Sequence, residues 1–201
     1  MGSLLEGLLI SRAVAGKTVS IVSPETTPPR TPARVRTPDH AADNRRMTEL
    51  PAPQLQFFAD LAVRVDKPQE VGRSARGLRR LIPILGGEAS GDGWRARVLP
   101  GGADFQLVIT DTLAELDARY CLETDAGELI YVQNRAIRSG PPELMARLVR
   151  GEPVDPSRIY FRCSPSFETA SPSLQWITER MFVGAGARHP DQVVMRFWQL
   201  A

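Results

Sequence analysis

The chain has almost none of the residues that hold transition metals or staple small secreted folds. Cys121 and Cys163 are its only cysteines, and His40 and His189 its only histidines. Two isolated thiols give neither a disulfide framework nor zinc-type spacing, so both read as small buried hydrophobes in a reducing compartment. A catalytic thiolate wants an adjacent base, and neither histidine is near a cysteine in sequence. His189 precedes Pro190 in a glycine-rich stretch and reads as an incidental loop residue, whatever its intrinsic pKa.

An excess of one charge is also missing. Lys and Arg number 25 against 23 Asp and Glu, a net charge of +2, which makes no electrostatic case for nucleic acid or an anionic membrane. No apolar run approaches the roughly 20 residues of a membrane-spanning helix. Leu4–Ile10 is short, is interrupted by Glu6 and follows no Lys or Arg, unlike a secretory signal. Glu6 also stands where a myristoylation motif wants Ser or Thr. The compartment expected on these grounds is the cytoplasm. From Ser23 to Arg46 the chain is rich in Pro, Thr and Arg, with too little apolar surface to offset its ordering entropy. The sequence therefore predicts a disordered Pro/Arg-rich leader over residues 1–46 and a folded domain over 47–201.

What is present is alternation. Leu55–Val65 reads as a strand with Phe57, Ala59, Leu61, Val63 and Val65 on one face. Arg79–Leu85 reads as a short strand closed by Gly86-Gly87, and Glu88–Gly93 as a turn. Trp94–Leu99 then alternates up to Pro100-Gly101-Gly102, which breaks one extended segment and starts another. Asp104 and Gln106 follow two residues apart, hence on the same face of a strand. Leu116–Thr124 and Glu128–Ile137 form a hairpin around Asp125-Ala126-Gly127, a type I turn with Gly in the left-handed position. That register sets Asp117 against Arg135, Arg119 against Gln133 and Tyr120 against Val132. Glu143–Arg150 is the one helix, preceded by Pro141-Pro142 and ended by Gly151 and Pro153. Ser157–Ser164, Gln175–Val183 and Gln192–Leu200 read as further strands, with Gly184–Pro190 a loop. Short strands at regular spacing indicate an antiparallel sandwich or barrel, with the helix covering one end.

The hairpin leaves two readings open. In one, Leu116, Ala118, Tyr120, Ile130, Val132, Asn134 and Ala136 face the core, while Asp117, Arg119, Tyr131, Gln133 and Arg135 face water. In the other, the polar face lines a barrel lumen and meets a ligand. Asp104 likewise reads either as a turn-stabilising carboxylate or as a proton carrier.

Several blocks resemble the family catalogued as domain of unknown function 3237. They are Val98–Gln106, Leu116–Tyr120, Ile130–Arg135, Tyr160-Phe161-Arg162 with Phe167-Glu168-Thr169, and Phe182-Val183-Gly184. The resemblance covers about residues 50–201 and implies an all-β fold, an antiparallel lipocalin-like β-barrel. Phe105 stands where Trp is usual in that family, and Ala136 where Gly is usual.

Carboxylates, guanidiniums and phenols without a metal cluster suit acid/base chemistry that uses no metal and no cofactor. The expected activity is isomerisation, dehydration or cyclisation of a small carbonyl or aromatic metabolite. Asp104, Asp117 and Tyr131 are the expected catalytic groups. Gln106, Arg119, Asn134, Arg135, Tyr160, Arg162 and Trp176 are the expected substrate-binding ones. The alternatives are a non-catalytic carrier of a hydrophobic metabolite, or a module that forms a homodimer through a sheet face.

Overall fold

Period-2 burial runs through nearly every extended segment of the computed structural model, which describes residues 50–201. The tail and leader expected over residues 1–46 lie outside the described residues. Ten strands follow in order: β1 Leu55–Val65, β2 Gln69–Ser74, β3 Gly77–Gly91, β4 Trp94–Val98, β5 Ala103–Val108, β6 Leu113–Thr124, β7 Leu129–Ser139, β8 Tyr160–Thr169, β9 Phe182–Arg188 and β10 Gln192–Leu200. Among the described residues a single α-helix, α1, spans Pro142–Val149 between β7 and β8.

All the pairings are antiparallel, and they close on themselves. β1 pairs with β10 on one side and β3 on the other, while β10-β9-β8-β7-β6 completes the wall. β4 and β5 share one position between β3 and β6, interrupted by the Pro100-Gly101-Gly102 break, so eight strand positions form a closed barrel. β2 is a flap paired only with β3. The hairpin register is the expected one, with Asp117 opposite Arg135 and Tyr120 opposite Val132.

Three expectations are corrected. Gly86-Gly87 does not end a strand and Glu88–Gly91 is not part of a turn; β3 runs straight through both for 15 residues, and the turn is confined to Asp92-Gly93. Both glycines have positive φ, and a Cβ on Gly87 would run into the Ala62 carbonyl oxygen of β1. This is the corner where β3 leaves β5 to pair with β1 and β4, and only glycine permits so close a crossing. Residues 175–179 are not strand but the end of a 3₁₀ helix, Pro172–Glu179, which buries Ile177. Gly184 to Arg188 is strand rather than loop. Its glycines read as turn signals, but a Cβ on Gly184 would sit 2.6 Å from Phe197, and one on Gly186 2.8 Å from Phe161.

The interior divides into two halves. Phe58, Phe167, Phe182 and Phe197 pack with Trp94 and Trp176 at the end of the barrel where β1 begins. Ring centroids 4.7–5.8 Å apart around Phe58, mostly tilted or edge-on, are favourable aromatic geometry. The opposite end lies under α1, which buries Leu144, Met145 and Leu148. Here the buried side chains include Arg80, Asp104, Gln106 and Arg138. A helix over one barrel end was expected; a charged chamber beneath it was not.

Candidate functional site

Asp104 and Gln106 both point inward from β5, as their spacing requires, and both are buried. Asp104 Oδ1 accepts a hydrogen bond from the Asp117 backbone N–H across the β5–β6 ladder, at 3.1 Å. Among the described residues it takes part in no ion pair. Burial pushes its carboxyl up to about 6, against the partial opposition of Arg138, that hydrogen bond and Arg80. It therefore changes charge near neutral pH, where a general acid or base works.

Asp104 lines a small interior cavity with Tyr120, Asn134, Arg138, Arg188 and Met195, under apolar walls from Val63, Ile82, Ile84, Leu116 and Phe161. Its open volume is ≈ 40 Å³, room for about one water, so a metabolite enters only if side chains move aside. Arg188 and Val193, both half-buried, form the part of this wall nearest solvent, beside the β9–β10 turn. Asn134 Nδ2 donates to Met195 Sδ at 3.3 Å, while Asn134 Oδ1 and the Tyr120 hydroxyl lack hydrogen-bond partners. Burial raises the Tyr120 phenol far above its ordinary range, so it stays protonated as a donor.

Sequence reasoning passed over two arginines that line this chamber, Arg138 from β7 and Arg188 from β9, and a third, Arg80 from β3, that is buried nearby and acts on Asp104. Arg80 donates from Nη1 to Gln106 Oε1 (3.3 Å) and from Nη2 to the Val149 carbonyl of α1 (2.9 Å). Arg188 donates to the Gln192 and Pro190 carbonyls at 3.3 and 3.0 Å. Arg138 is held to about 10, chiefly by burial, and lies 5.9 Å from the centre of the Phe161 ring. The signal was available in the alternation. Ile130, Val132, Asn134 and Ala136 point inward, and two residues further the same phase gives Arg138; Ile82 and Ile84 likewise extend back to Arg80.

The remaining predicted site residues sit elsewhere. Asp117, Arg119, Tyr131 and Arg135 lie on the outer face of β6 and β7, because the apolar set of that hairpin takes the interior. The reading that put this face in the lumen is thereby corrected. Asp117 is held by Arg119 Nη2 and Gln133 Nε2, each at 2.9 Å. Asp117, Arg135, Tyr160 and Arg162 do come together, on an open outer groove of ≈ 590 Å³ that also exposes Phe105 and Ile137. Arg162 stacks over Tyr160 there, 5.2 Å from its ring centre. Trp176 is in the aromatic cluster at the far end, 42% exposed, away from Asp104. A wider concavity of ≈ 1170 Å³ on the outer wall carries the surface ion pair Asp60–Arg196. Among the described residues, no group of three or more His, Cys, Asp or Glu could hold a metal, and no helix is long and apolar enough to cross a membrane.

A family model described as "Protein of unknown function (DUF3237)" matches residues 53–200. The chain belongs to the DUF3237 family. A UPF0311 protein of Rhodopseudomonas palustris is 47% identical over 150 residues, covering 75% of this chain and 98% of the relative. A UPF0311 protein of Bradyrhizobium diazoefficiens is 43% identical with the same coverage. Among solved structures, a conserved protein of unknown function from R. palustris aligns with a TM-score of 0.71 at 46% identity, over 77% of this chain and all of that one. A β-barrel-like protein from Acinetobacter baumannii aligns at 0.68 and 38% identity, over 77% and 100%. A protein from Penicillium herquei described as an enzyme shares the fold at TM-score 0.58 and 17% identity, over 77% and 99%. Within DUF3237 the blocks that carried the resemblance build the β4–β5 break, the β6–β7 hairpin, β8 and the start of β9, supplying Asp104, Tyr120, Asn134 and Phe161 to the chamber and Phe167 and Phe182 to the aromatic cluster.

Proposed function

We propose that this DUF3237 barrel is a cofactor-independent acid/base enzyme acting on a small carbonyl or aromatic metabolite, by isomerisation, dehydration or cyclisation. Asp104 is the proton carrier, and the Tyr120 hydroxyl is the donor that stabilises an enolate or phenolate. The observation that carries this reading is Asp104 itself, a buried carboxyl beside a cavity, in no ion pair and with its pKa pushed up to about 6. A carboxylate kept only to balance charge would be clamped by arginine, as Asp117 is on the outside. The Penicillium herquei neighbour described as an enzyme indicates that this fold hosts catalysis in at least one other protein. Of the outer-face residues named from sequence, none enters this mechanism.

The test is turnover of a panel of phenols, lactones and unsaturated ketones, members bearing a carboxylate included, by the wild-type chain and by Asp104→Asn. A true proton carrier loses about 10²–10⁴-fold in kcat on this change. Equal rates in the two proteins would remove Asp104 from the mechanism. A raised melting temperature without any product across the panel would replace the enzyme with a carrier.

A further inference from the structure

The chamber under α1 carries more positive charge than it can neutralise. Arg80, Arg138 and Arg188 approach from three strands, and Asp104 is the one carboxylate inside. Two of the arginines are engaged: Arg80 by Gln106 and the Val149 carbonyl, Arg188 by the Pro190 and Gln192 carbonyls. Arg138 is different. Like Arg80 it is 3% exposed with an unpartnered Nε, but among the described residues its guanidinium donates no hydrogen bond and is in no ion pair. Taking a guanidinium out of water without an acceptor is strongly unfavourable, and a fold retains one where an anion completes it. The Tyr120 hydroxyl, a second donor without a partner, lines the same cavity.

We infer that this chamber is a receptor for an organic monocarboxylate, whose carboxylate is received by Arg138 while its apolar body lies against Ile84, Leu116 and Phe161 and the Tyr120 hydroxyl is left for the reacting oxygen. Guanidinium forks match carboxylates in a bidentate fashion. The apolar remainder of the wall favours an organic acid over a bare inorganic oxyanion. The ≈ 40 Å³ of open space takes only the head group. Met195 and Arg188, long unbranched side chains on β10 and β9, are the parts of the wall that yield to the body. This deepens the proposed function by naming the substrate class, and it rests on the same chamber being the ligand site, though not on turnover.

Binding to this site varies with pH through its surroundings. Asp104 on β5 faces Arg138 from β7, Arg80 from β3 and Arg188 from β9, with Asp117 across the β6 ladder; Glu70 acts on Arg80 and Asp191 on Arg188. Of these, Asp104 is the group that loses its charge near neutrality, so a carboxylate meets less repulsion at pH 5.5 than at pH 8.

The probe is sodium benzoate, titrated calorimetrically into the full chain at constant ionic strength, against benzamide as a neutral isostere and inorganic phosphate as a bare oxyanion. Benzoate binds saturably and more tightly at pH 5.5 than at pH 8, and neither control does. Arg138→Gln weakens benzoate by about tenfold or more, Arg138→Lys by less, and the exposed-site control Arg73→Gln leaves it unchanged. Asp104→Asn keeps benzoate binding and flattens its pH dependence even where turnover is lost, which separates failure of the receptor from failure of the enzyme. On the wild-type chain, the Arg138 side-chain Nε–H resonance moves with benzoate and not with benzamide, a readout that needs no variant to fold. Equal binding of benzoate and benzamide, phosphate binding as tightly as benzoate, an unmoved Arg138 resonance, or a cooperatively melting Arg138→Gln with wild-type affinity would each overturn the inference.

Discussion

Two aspartates of nearly adjacent strand positions have opposite fates. For Asp117, burial acts to raise the pKa, but the hydrogen bonds from Arg119 and Gln133 outweigh it and the carboxyl ionises below its ordinary range. That contribution to stability is present above the unfolded pKa and disappears as pH falls; with 29% of the side chain exposed, it is worth little. Asp104 runs the other way. Its folded pKa of about 6 exceeds the ordinary 3.8. Well below pH 3.8 the group is neutral folded or unfolded and has no effect. As pH rises from 4 towards 6 the unfolded chain gives up the proton first, so stability falls, by about 3 kcal/mol for a shift of this size. Asp104→Asn is therefore expected to melt with a flatter pH profile than the wild type. The difference in unfolding free energy, followed by urea denaturation, should grow from pH 4 to pH 7. Parallel profiles would mean that Asp104 is no more basic than an exposed aspartate.

At the scale of single elements, the sequence was legible wherever local rules acted alone. The β6–β7 register, the shared face of Asp104 and Gln106 and the position of the helix each follow from a turn signal or a spacing. It was illegible where two strands cross or a ring needs room. Gly87, Gly184 and Gly186 read as turn residues, yet each sits in a strand because another chain segment or a Phe ring occupies the place of its side chain. β1 is a second case. Strict alternation put Phe57 inside, but the register against β10 slips between Phe57 and Ala59, which leaves Phe58 as the extra residue of a β-bulge. Phe58 turns into the aromatic cluster, and Phe57 stays outside under the Arg196 guanidinium, 5.5 Å from its ring centre. Phe58→Ala is expected to cost about 3 kcal/mol or more, and Phe57→Ala well under half of that. Equal costs in urea denaturation would show that the bulge does not set the inner face. The candidate site was half visible for a related reason. A carboxylate in a conspicuous turn motif attracts notice, whereas Arg80 and Arg138 look like surface residues until the whole wall fixes which face is inside.

Across the whole molecule, one half of the barrel is built for stability and the other departs from it. The aromatic end packs Phe182 and Phe197 with 1% and 0% exposure. The charged end retains orphan polar atoms on Arg80, Gln106, Tyr120, Asn134 and Arg138, and holds α1 through a few contacts such as Arg80 to Val149. Local opening should follow this division. Amide hydrogen exchange is expected to be slowest in the aromatic-end segments of β7, β8 and β10, faster in α1, and fastest in β2, which pairs with β3 alone and is largely exposed. Uniform protection across β2 and β8 would contradict it.

The seam between β1 and β10 joins the first strand of the fold to the last, and the Gln54 and Ala201 backbones exchange hydrogen bonds at 3.0 and 2.9 Å. Ribosomal synthesis therefore delivers β1 long before its partner. At ordinary elongation rates β1 waits roughly seven to thirty seconds for β10 to emerge, with one flank unsatisfied. During that interval the nascent chain offers an open edge to other nascent chains. Expression of this protein should consequently depend on holding chaperones more than its finished stability would suggest.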